Sequence, residues 1–434
     1  MSAITTRYPA QFPEEEASVG EIVGALNAAS VLSEIRRRGV VSRVELADGL
    51  GLGRSTVSAI TSRLLQEGRI REAELSAPSG AESVRGRPRI GLSLNPEAAH
   101  VVGLKISMHQ IAICIADFAC NLVSSTVLPL RVNRQAPEVV ADLIEDAIIR
   151  AVADAGLRLE QIDGIGVGIP GFIDGNTGVS HWSPVFRDAG VPFAKALKDR
   201  FSRPVFVDND ANLVALAEHW FGEGADADEL VVVTLEHGVG MGLMLDGRIF
   251  RGAHGFAGEF GHTQVVPDGA PCRCGQNGCV EAYIADYALV RAAAPFTGGG
   301  GLSDDPVELE RSVVRLTERA RAGDADLRRV FANAGAMLGR AIANLVKLID
   351  PERVIFCGGG VRAADLWFEP MRAVVAAQLR HPAARATEFR IHRWGDDLWA
   401  RGAAASVLQA LYQSHKAFLR PTAGVPGSLS RVHA

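Results

Sequence analysis

The apolar positions along this chain change their period, and each change marks a different kind of element. From Glu21 onward, Ile22, Leu26, Val31, Leu32 and Ile35 recur at helical steps, as a buried stripe requires. Residues 1–20 before it carry no period and read as an arm. Two shorter helices follow. Ser42 can cap the first, with Glu45 completing a capping box and Val44, Leu46 and Ala47 supplying the apolar face. A tight turn at Leu50, Gly51 and Leu52 leads into a helix from Gly53 to Gln66 that buries Val57, Ile60, Leu64 and Leu65 and stops at Gly68. Strand patterns at Arg69 to Leu75 and Ile90 to Leu94 flank a polar loop containing Arg85, Gly86, Arg87, Pro88 and Arg89. Helices, tight turn and strand pair together predict a winged helix-turn-helix over residues 21–95, with the polar loop as its wing.

From Asn95 the period shortens to that of strands. Val101 to Leu104, Ile111 to Ala116 and Leu122 to Val127 read as three strands, followed by a helix from Pro137 to Ala155 and a buried strand at Ile162 to Val167. A second round then begins: Leu230 to Leu235, Gly240 to Leu245 and Arg248 to Phe250, helices over much of Glu281 to Leu348, and the strand Val354 to Cys357. Two strand-rich halves that each end in helices predict an α/β, internally duplicated actin-like body over residues 96–413. One lobe would span about 96–213 plus the C-terminal helix, the other about 214–395, with a ligand between them. Residues 414–434 read as a flexible tail.

Charge sharpens the front module. The net charge of the chain is -5, yet Val31 to Pro96 carries eleven Arg, no Lys and seven acidic residues, a local balance of +4. The face of the Gly53–Gln66 helix opposite its apolar stripe carries Arg54, Ser55, Thr56, Ser58, Ser62 and Arg63. Short hydroxyl side chains let a helix approach base edges while the flanking arginines neutralise phosphates. In the wing loop, Arg85, Gly86, Arg87 and Pro88 resemble the core of minor-groove-binding hooks, in which Gly lets the backbone sit deep and Arg senses the potential of a narrow A·T tract. A DNA partner follows for this module; a helical hairpin used for dimerisation is the competing reading.

Chemistry concentrates in one later run, GHTQVVPDGAPCRCGQNGCVE. Three of the six cysteines, Cys272, Cys274 and Cys279, fall within it among Gly, Pro and polar turn formers, with His262 just upstream. One imidazole and three thiolates make a closed tetrahedral zinc set with no open position, so the metal would be structural. Glu259 and Glu281 flank the set. Six Cys in 434 residues, behind an acidic start, exclude a secreted disulfide scaffold. No apolar stretch approaches the roughly 20 residues that span a bilayer, and a cytoplasmic location is expected.

These motifs together resemble the ROK family of repressors, open reading frames and sugar kinases. The likeness rests on GIGVGIPGFIDGNTG (Gly164 to Gly178), VDNDAN (Val207 to Asn212), GVGMG (Gly238 to Gly242), GEFGH (Gly258 to His262), CRCGQNGCVE (Cys272 to Glu281) and DPERVIFCGGG (Asp350 to Gly360). It implies that Asn209 and Asp210 bond sugar hydroxyls, that Glu259 and Glu281 accept from others, and that His262 touches the sugar while holding zinc. In a kinase of this family Asp210 would be the base for the attacking hydroxyl. This chain departs from the kinase pattern at both phosphate loops. Lys105 stands where the kinases have an acid, Met108 and His109 replace small residues, and Glu236 and His237 occupy the second loop, where a carboxylate would repel a polyphosphate. Gly358 to Gly360 persist, while Val185 replaces a usual Asn beside Pro184. The resemblance therefore implies a non-enzymatic, sugar-responsive transcriptional regulator, a repressor acting on operator DNA as a homodimer or homotetramer. A bifunctional ATP-dependent sugar kinase that kept its DNA module is the alternative, and a regulator controlled by a protein partner is a third.

Overall fold

A computed structural model describes residues 19–75, 90–298, 303, 305–381, 386–395 and 397–414. The N-terminal module consists of α1 (Val19–Arg38), α2 (Arg43–Leu50) and α3 (Arg54–Gln66), followed by the antiparallel strands β1 (Ile70–Glu74) and β2 (Ile90–Leu94). Ser42 and Glu45 form the reciprocal capping box of α2, and Gly51 closes that helix in the left-handed conformation at φ 63°. Val41 bridges to Leu92 as a third short strand, so the winged arrangement is complete apart from the wing tip. Arg85 and Arg87 lie outside the described residues.

The stripe of α1 differs from its expected extent. Val31, Leu32 and Ile35 are fully buried, but Ile22 and Leu26 are 42% and 46% exposed, and Ala25 and Ala28 take the inward positions. The larger side chains of the first turns thus point away from the core that the later turns join.

The body holds two five-stranded sheets of the same design. The first comprises β3 (His100–Ile106), β4 (Gln110–Asp117), β5 (Leu122–Pro129), β6 (Ile162–Ile169) and β9 (Val205–Asn209), in the order β5-β4-β3-β6-β9. Around it lie α4 (Pro137–Asp154), a small hairpin of β7 (Phe172–Asp174) and β8 (Val179–Trp182), and α5 (Phe193–Phe201). Helix α6 (Asp210–Phe221) leads to the second sheet, made of β10 (Leu230–Leu235), β11 (Val239–Leu245), β12 (Arg248–Ile249), β13 (Arg353–Cys357) and β14 (Glu388–Ile391) in the order β12-β11-β10-β13-β14. Helices α7 (Glu281–Ile284), α8 (Asp286–Thr297), α9 (Pro306–Arg321), α10 (Ala325–Ile349) and α11 (Ala364–Gln378) interrupt that sheet in sequence, and α12 (Asp397–Gln413) is the last helix among the described residues. Each sheet has two antiparallel pairings on one side and two parallel pairings on the other. That repetition is the duplicated actin-like design.

Close packing explains the glycine alternation in β6. Gly164 and Gly166 face α12, where a Cβ on Gly166 would lie 2.0 Å from the Ala403 carbonyl oxygen. Ile165 and Val167 point to the other side and are fully buried. Gly402 answers from α12, since a Cβ there would meet the Leu213 carbonyl oxygen of α6 at 2.0 Å. Helix backbones therefore touch sheet and helix directly, and side-chain bulk at these points would force them apart.

The N-terminal module and the body share one apolar core. Val31, Leu32, Leu64 and Leu92 belong to the same buried cluster as Leu216, Trp220, Leu408 and Tyr412. Polar contacts seal the joint. Arg36 donates to the Trp220 carbonyl at 3.0 Å and stacks on its indole at 4.1 Å, while Arg69 donates to the Leu411 carbonyl at 2.6 Å.

Candidate ligand cleft and metal centre

A cavity of about 1010 Å³ opens between the two sheets, and the strand-to-helix junction at Asn209 and Asp210 forms part of its wall. Asn209 caps α6: its Oδ1 accepts from the N–H groups of Ala211 (2.8 Å) and Asn212 (3.3 Å), and its Nδ2 donates to the Gly171 carbonyl at 2.9 Å. One amide hydrogen remains for another acceptor. Buried Asp208 fastens the junction from behind by accepting from Arg251 and from Asn212. Asp210, in the first turn of α6, faces the first sheet instead.

There it meets Lys105. The ammonium lies 3.4 Å from Asp210 Oδ2, 3.8 Å from Glu236 Oε2 and 3.1 Å from the centroid of the Trp399 ring. The side chains of Lys105 and Asp210 are only 11% and 16% exposed. The protein thus supplies its own cation where two carboxylates converge. Glu236 is not the free, repelling carboxylate its sequence position suggests, because it pairs with Lys105 and its other oxygen accepts the Gly359 N–H at 3.2 Å. That N–H belongs to the surviving glycine loop and is already satisfied from within. His109 and His237 meet edge to face at 5.4 Å beside this cluster, and His237 Nδ1 lies 3.1 Å from Asp286. Burial first, then His237 and Lys105, lower the pKa of His109.

Glu259, Glu281 and His262 line the same cavity. Burial, reinforced by the carboxylates of Glu281 and Asp210, pushes Glu259 up to about 7. Glu281 is the more deeply held of the pair. Its Oε2 accepts from the Val239 N–H at 3.2 Å and its Oε1 from the Tyr287 hydroxyl at 3.3 Å, so it ties the metal loop to β11 and α8. Val185 is fully buried within the first lobe's core and contributes nothing polar to the cavity.

His262, Cys272, Cys274 and Cys279 converge so that their ligand atoms all lie within 4.8 Å of one another. His262 Nδ1 is 3.6 Å from Cys272 Sγ, and Cys274 Sγ is 3.8 Å from Cys279 Sγ. A tetrahedral zinc with Zn–S of about 2.3 Å and Zn–N of about 2.0 Å requires edges of about 3.8 Å between sulfurs and about 3.5 Å between nitrogen and sulfur. The donor set fits the metal. Backbone bridges between Gln264 and Cys279 and between Pro271 and Asn277 hold the loop in that shape.

Helix α3 presents Arg54, Ser55, Thr56, Ser58, Ser62 and Arg63 to the exterior, while Val57, Ile60 and Leu64 are buried. Thr61 turns inward, donating to the Val57 carbonyl and receiving a bond from Arg43.

Sequence reasoning missed several members of the cleft. The Lys105 ion pairs, the Trp399 ring beneath them, Arg251 behind Asp208 and the rings of Phe172 and Trp182 on the β7–β8 hairpin come from elements far apart in the chain. Lys105 was legible as a departure at a phosphate loop; its partners were not.

An actin-like two-lobed body with a cleft and a cluster of three thiols and one imidazole defines the class of the body, and the winged helix stands in front of it. The ROK family model matches residues 101–410, and this chain belongs to that family. The DNA-binding transcriptional dual regulator NagC of Escherichia coli (strain K12) is 30% identical over 352 residues, which cover 80% of this chain and 84% of that protein. The glucokinase of Halalkalibacterium halodurans is 32% identical over 314 residues, 71% of this chain and 94% of its own length. Among solved structures, a ROK family transcriptional regulator described as a homolog of the E. coli MLC protein superposes with a TM-score of 0.74 at 26% identity, covering 90% of this chain and 97% of that one. No helix among the described residues is long and apolar enough to cross a membrane.

Proposed function

We propose that this protein is a sugar-responsive transcriptional repressor that binds operator DNA through α3 and its wing and releases or tightens that grip when a sugar enters the cleft. The observation that carries the reading is the uncovered arginine-and-hydroxyl face of α3, on a module whose core is continuous with that of the cleft-bearing body. Arg54, Ser55, Thr56, Ser58 and Arg63 are the proposed DNA contacts on the helix, with Arg85 and Arg87 in the wing. The proposed effector contacts are Asn209, Asp210, Glu259, His262 and Glu281. Zinc held by His262, Cys272, Cys274 and Cys279 would close the loop that carries the last three of these. We take the DNA module as 21–95 and the lobes as about 96–213 with α12 and about 214–395, between a 1–20 arm and a 414–434 tail. Two copies, or four, would place two recognition helices on a palindromic operator.

Phosphoryl transfer is disfavoured by the same cleft. A bound polyphosphate needs metal and free backbone N–H groups around it, whereas Lys105 fills the cation position and Glu236 takes the Gly359 N–H. Similarity to glucokinases keeps the kinase reading as the alternative.

Two helices connect cleft and DNA module. Helix α6 begins at Asp210 in the cleft and carries Trp220 in its last turn against Arg36 of α1, while α12 carries Trp399 under Lys105 at one end and Leu411 against Arg69 at the other. Gly402 locks the two backbones together, so a shift at one end is carried to the other. A ligand moves the DNA modules only as far as it prefers one arrangement, and a coupling of about 1–3 kcal/mol is ordinary for such systems.

The deciding experiment combines operator binding with turnover. Protein mixed with ATP, Mg²⁺ and a panel of hexoses, pentoses and amino sugars is expected to give no turnover above background, while some of those sugars shift DNA affinity. Glu259→Gln is expected to abolish the sugar response and keep DNA binding. Sustained sugar phosphorylation would overturn the reading.

A further inference from the structure

We propose that the β7–β8 hairpin carries a second sugar subsite, so that the effector is a disaccharide or longer glycoside whose second ring stacks on Phe172 and Trp182. The inference rests on the reading of the cleft as a sugar site and names the class of sugar.

Four rings follow one another along a ledge, tilted against their neighbours by 41–69°. Phe172 lies 5.8 Å from Trp182 and 5.8 Å from Phe256, and Phe256 lies 5.4 Å from His181. Phe172 and Trp182 line the cavity wall. Trp182 and Phe256 are nonetheless 48% and 43% exposed, whereas Trp220, Trp367 and Trp399 are buried and Trp394 is half-buried. Aromatic faces left open beside a polar pocket match the C–H faces of a pyranose, which combine apolar area with a hydroxyl rim.

The ledge is rigid and continuous with the polar pocket. A Cβ on Gly171 would fall 2.3 Å from the Trp182 carbonyl oxygen, so the hairpin closes on itself at van der Waals limits. Asp174 fastens its turn by accepting from the Asn176 N–H and the Thr177 hydroxyl, and Ser180 exchanges two backbone bonds of 2.8 Å with Val191. Gly171 also accepts the amide of Asn209, and Phe256 stands three residues before Glu259. A sugar gripped by Asn209 and Glu259 therefore has the rings as its neighbour. In the other direction Lys105 bridges Asp210 and Glu236, so a second ring placed there would meet a charged cluster instead of open aromatic faces. Extension is open along the ledge.

The test is calorimetric titration of the full chain with matched pairs: glucose against maltose and cellobiose, xylose against xylobiose, and N-acetylglucosamine against its β1,4-linked dimer. At least one disaccharide is expected to bind about tenfold or more tightly than its own monosaccharide, given the area an aromatic ring offers. Trp182→Ala, at an exposed position, should remove that advantage and leave monosaccharide affinity within about threefold; a thermal melt checks its folding, and Phe172→Leu gives a second, milder probe. A monosaccharide that binds as tightly as its dimer, or equal loss for both in Trp182→Ala, overturns the subsite while the sugar reading stands. Binding by no sugar of either size overturns both. A changed oligomeric mass in Trp182→Ala with unaltered sugar affinities assigns the ledge to contacts between copies and also overturns the subsite.

Discussion

Replacing Lys105 by Met tests the idea that the chain carries an internal cation in its cleft. At 3.4 Å and an effective dielectric near 20, attraction between Lys105 and Asp210 is about 5 kcal/mol before any desolvation cost is set against it. Removing one member of a pair this buried leaves a carboxylate uncompensated, which typically costs about 3–5 kcal/mol. Met is close to Lys in volume and can keep the contact with Trp399, so most of the loss would be electrostatic. For a cooperative unit of 150–250 residues, about 3 kcal/mol corresponds to a fall in Tm of about 6–12 °C. The assay is thermal unfolding of the wild type, Lys105→Met, Asp210→Asn and the double variant. The double variant should be more stable than the sum of the single losses predicts, by at least about 1 kcal/mol, because Asn needs no cation. A Tm change under about 2 °C for Lys105→Met, or strict additivity in the double variant, would refute the reasoning and leave Lys105 a solvated side chain.

Metal analysis should find about one zinc per chain; Cys274→Ala should lose it together with the protease resistance of the 262–281 loop. Operator affinity should fall steeply with salt, and Arg63→Ala should weaken binding at all sequences and reduce the salt slope by about one, whereas Ser58→Ala should alter preference among operators. Gly402→Val should force α6 and α12 apart, leaving sugar and DNA binding measurable separately but cutting the response of one to the other; full coupling in that variant would remove the two helices as the connection.

The periodicities were enough to place most elements. Strand β10 was read to the residue, the capping box of α2 was visible in Ser42 and Glu45, and the winged helix and duplicated body follow from local pattern alone. Local pattern failed where burial depends on a partner element. Ile22 and Leu26 fit the helical stripe of α1 yet are exposed, since nothing in their own spacing says where the neighbouring core ends. Strands β7, β8, β9 and β14 have no legible period: β7 and β8 are three and four residues long, β9 is five residues ending on the α6 cap Asn209, and β14 is a partly buried edge.

The cleft divides in the same way. Amino-acid type and spacing determined the cluster of His262, Cys272, Cys274 and Cys279, the polar face of α3 and the departures at Lys105, Met108, His109, Glu236 and His237, because each depends on a few residues close in sequence. Only the tertiary structure decided that Lys105 from β3, Asp210 from α6, Glu236 after β10 and Trp399 from α12 meet at one point, that Glu281 supports the metal loop, and that rings from β7 and β8 border the pocket. The physical reason is range: hydrogen-bonding preferences and periodicity act over a few residues, whereas Coulomb pairing and close packing act between whichever groups the sheets and helices bring together.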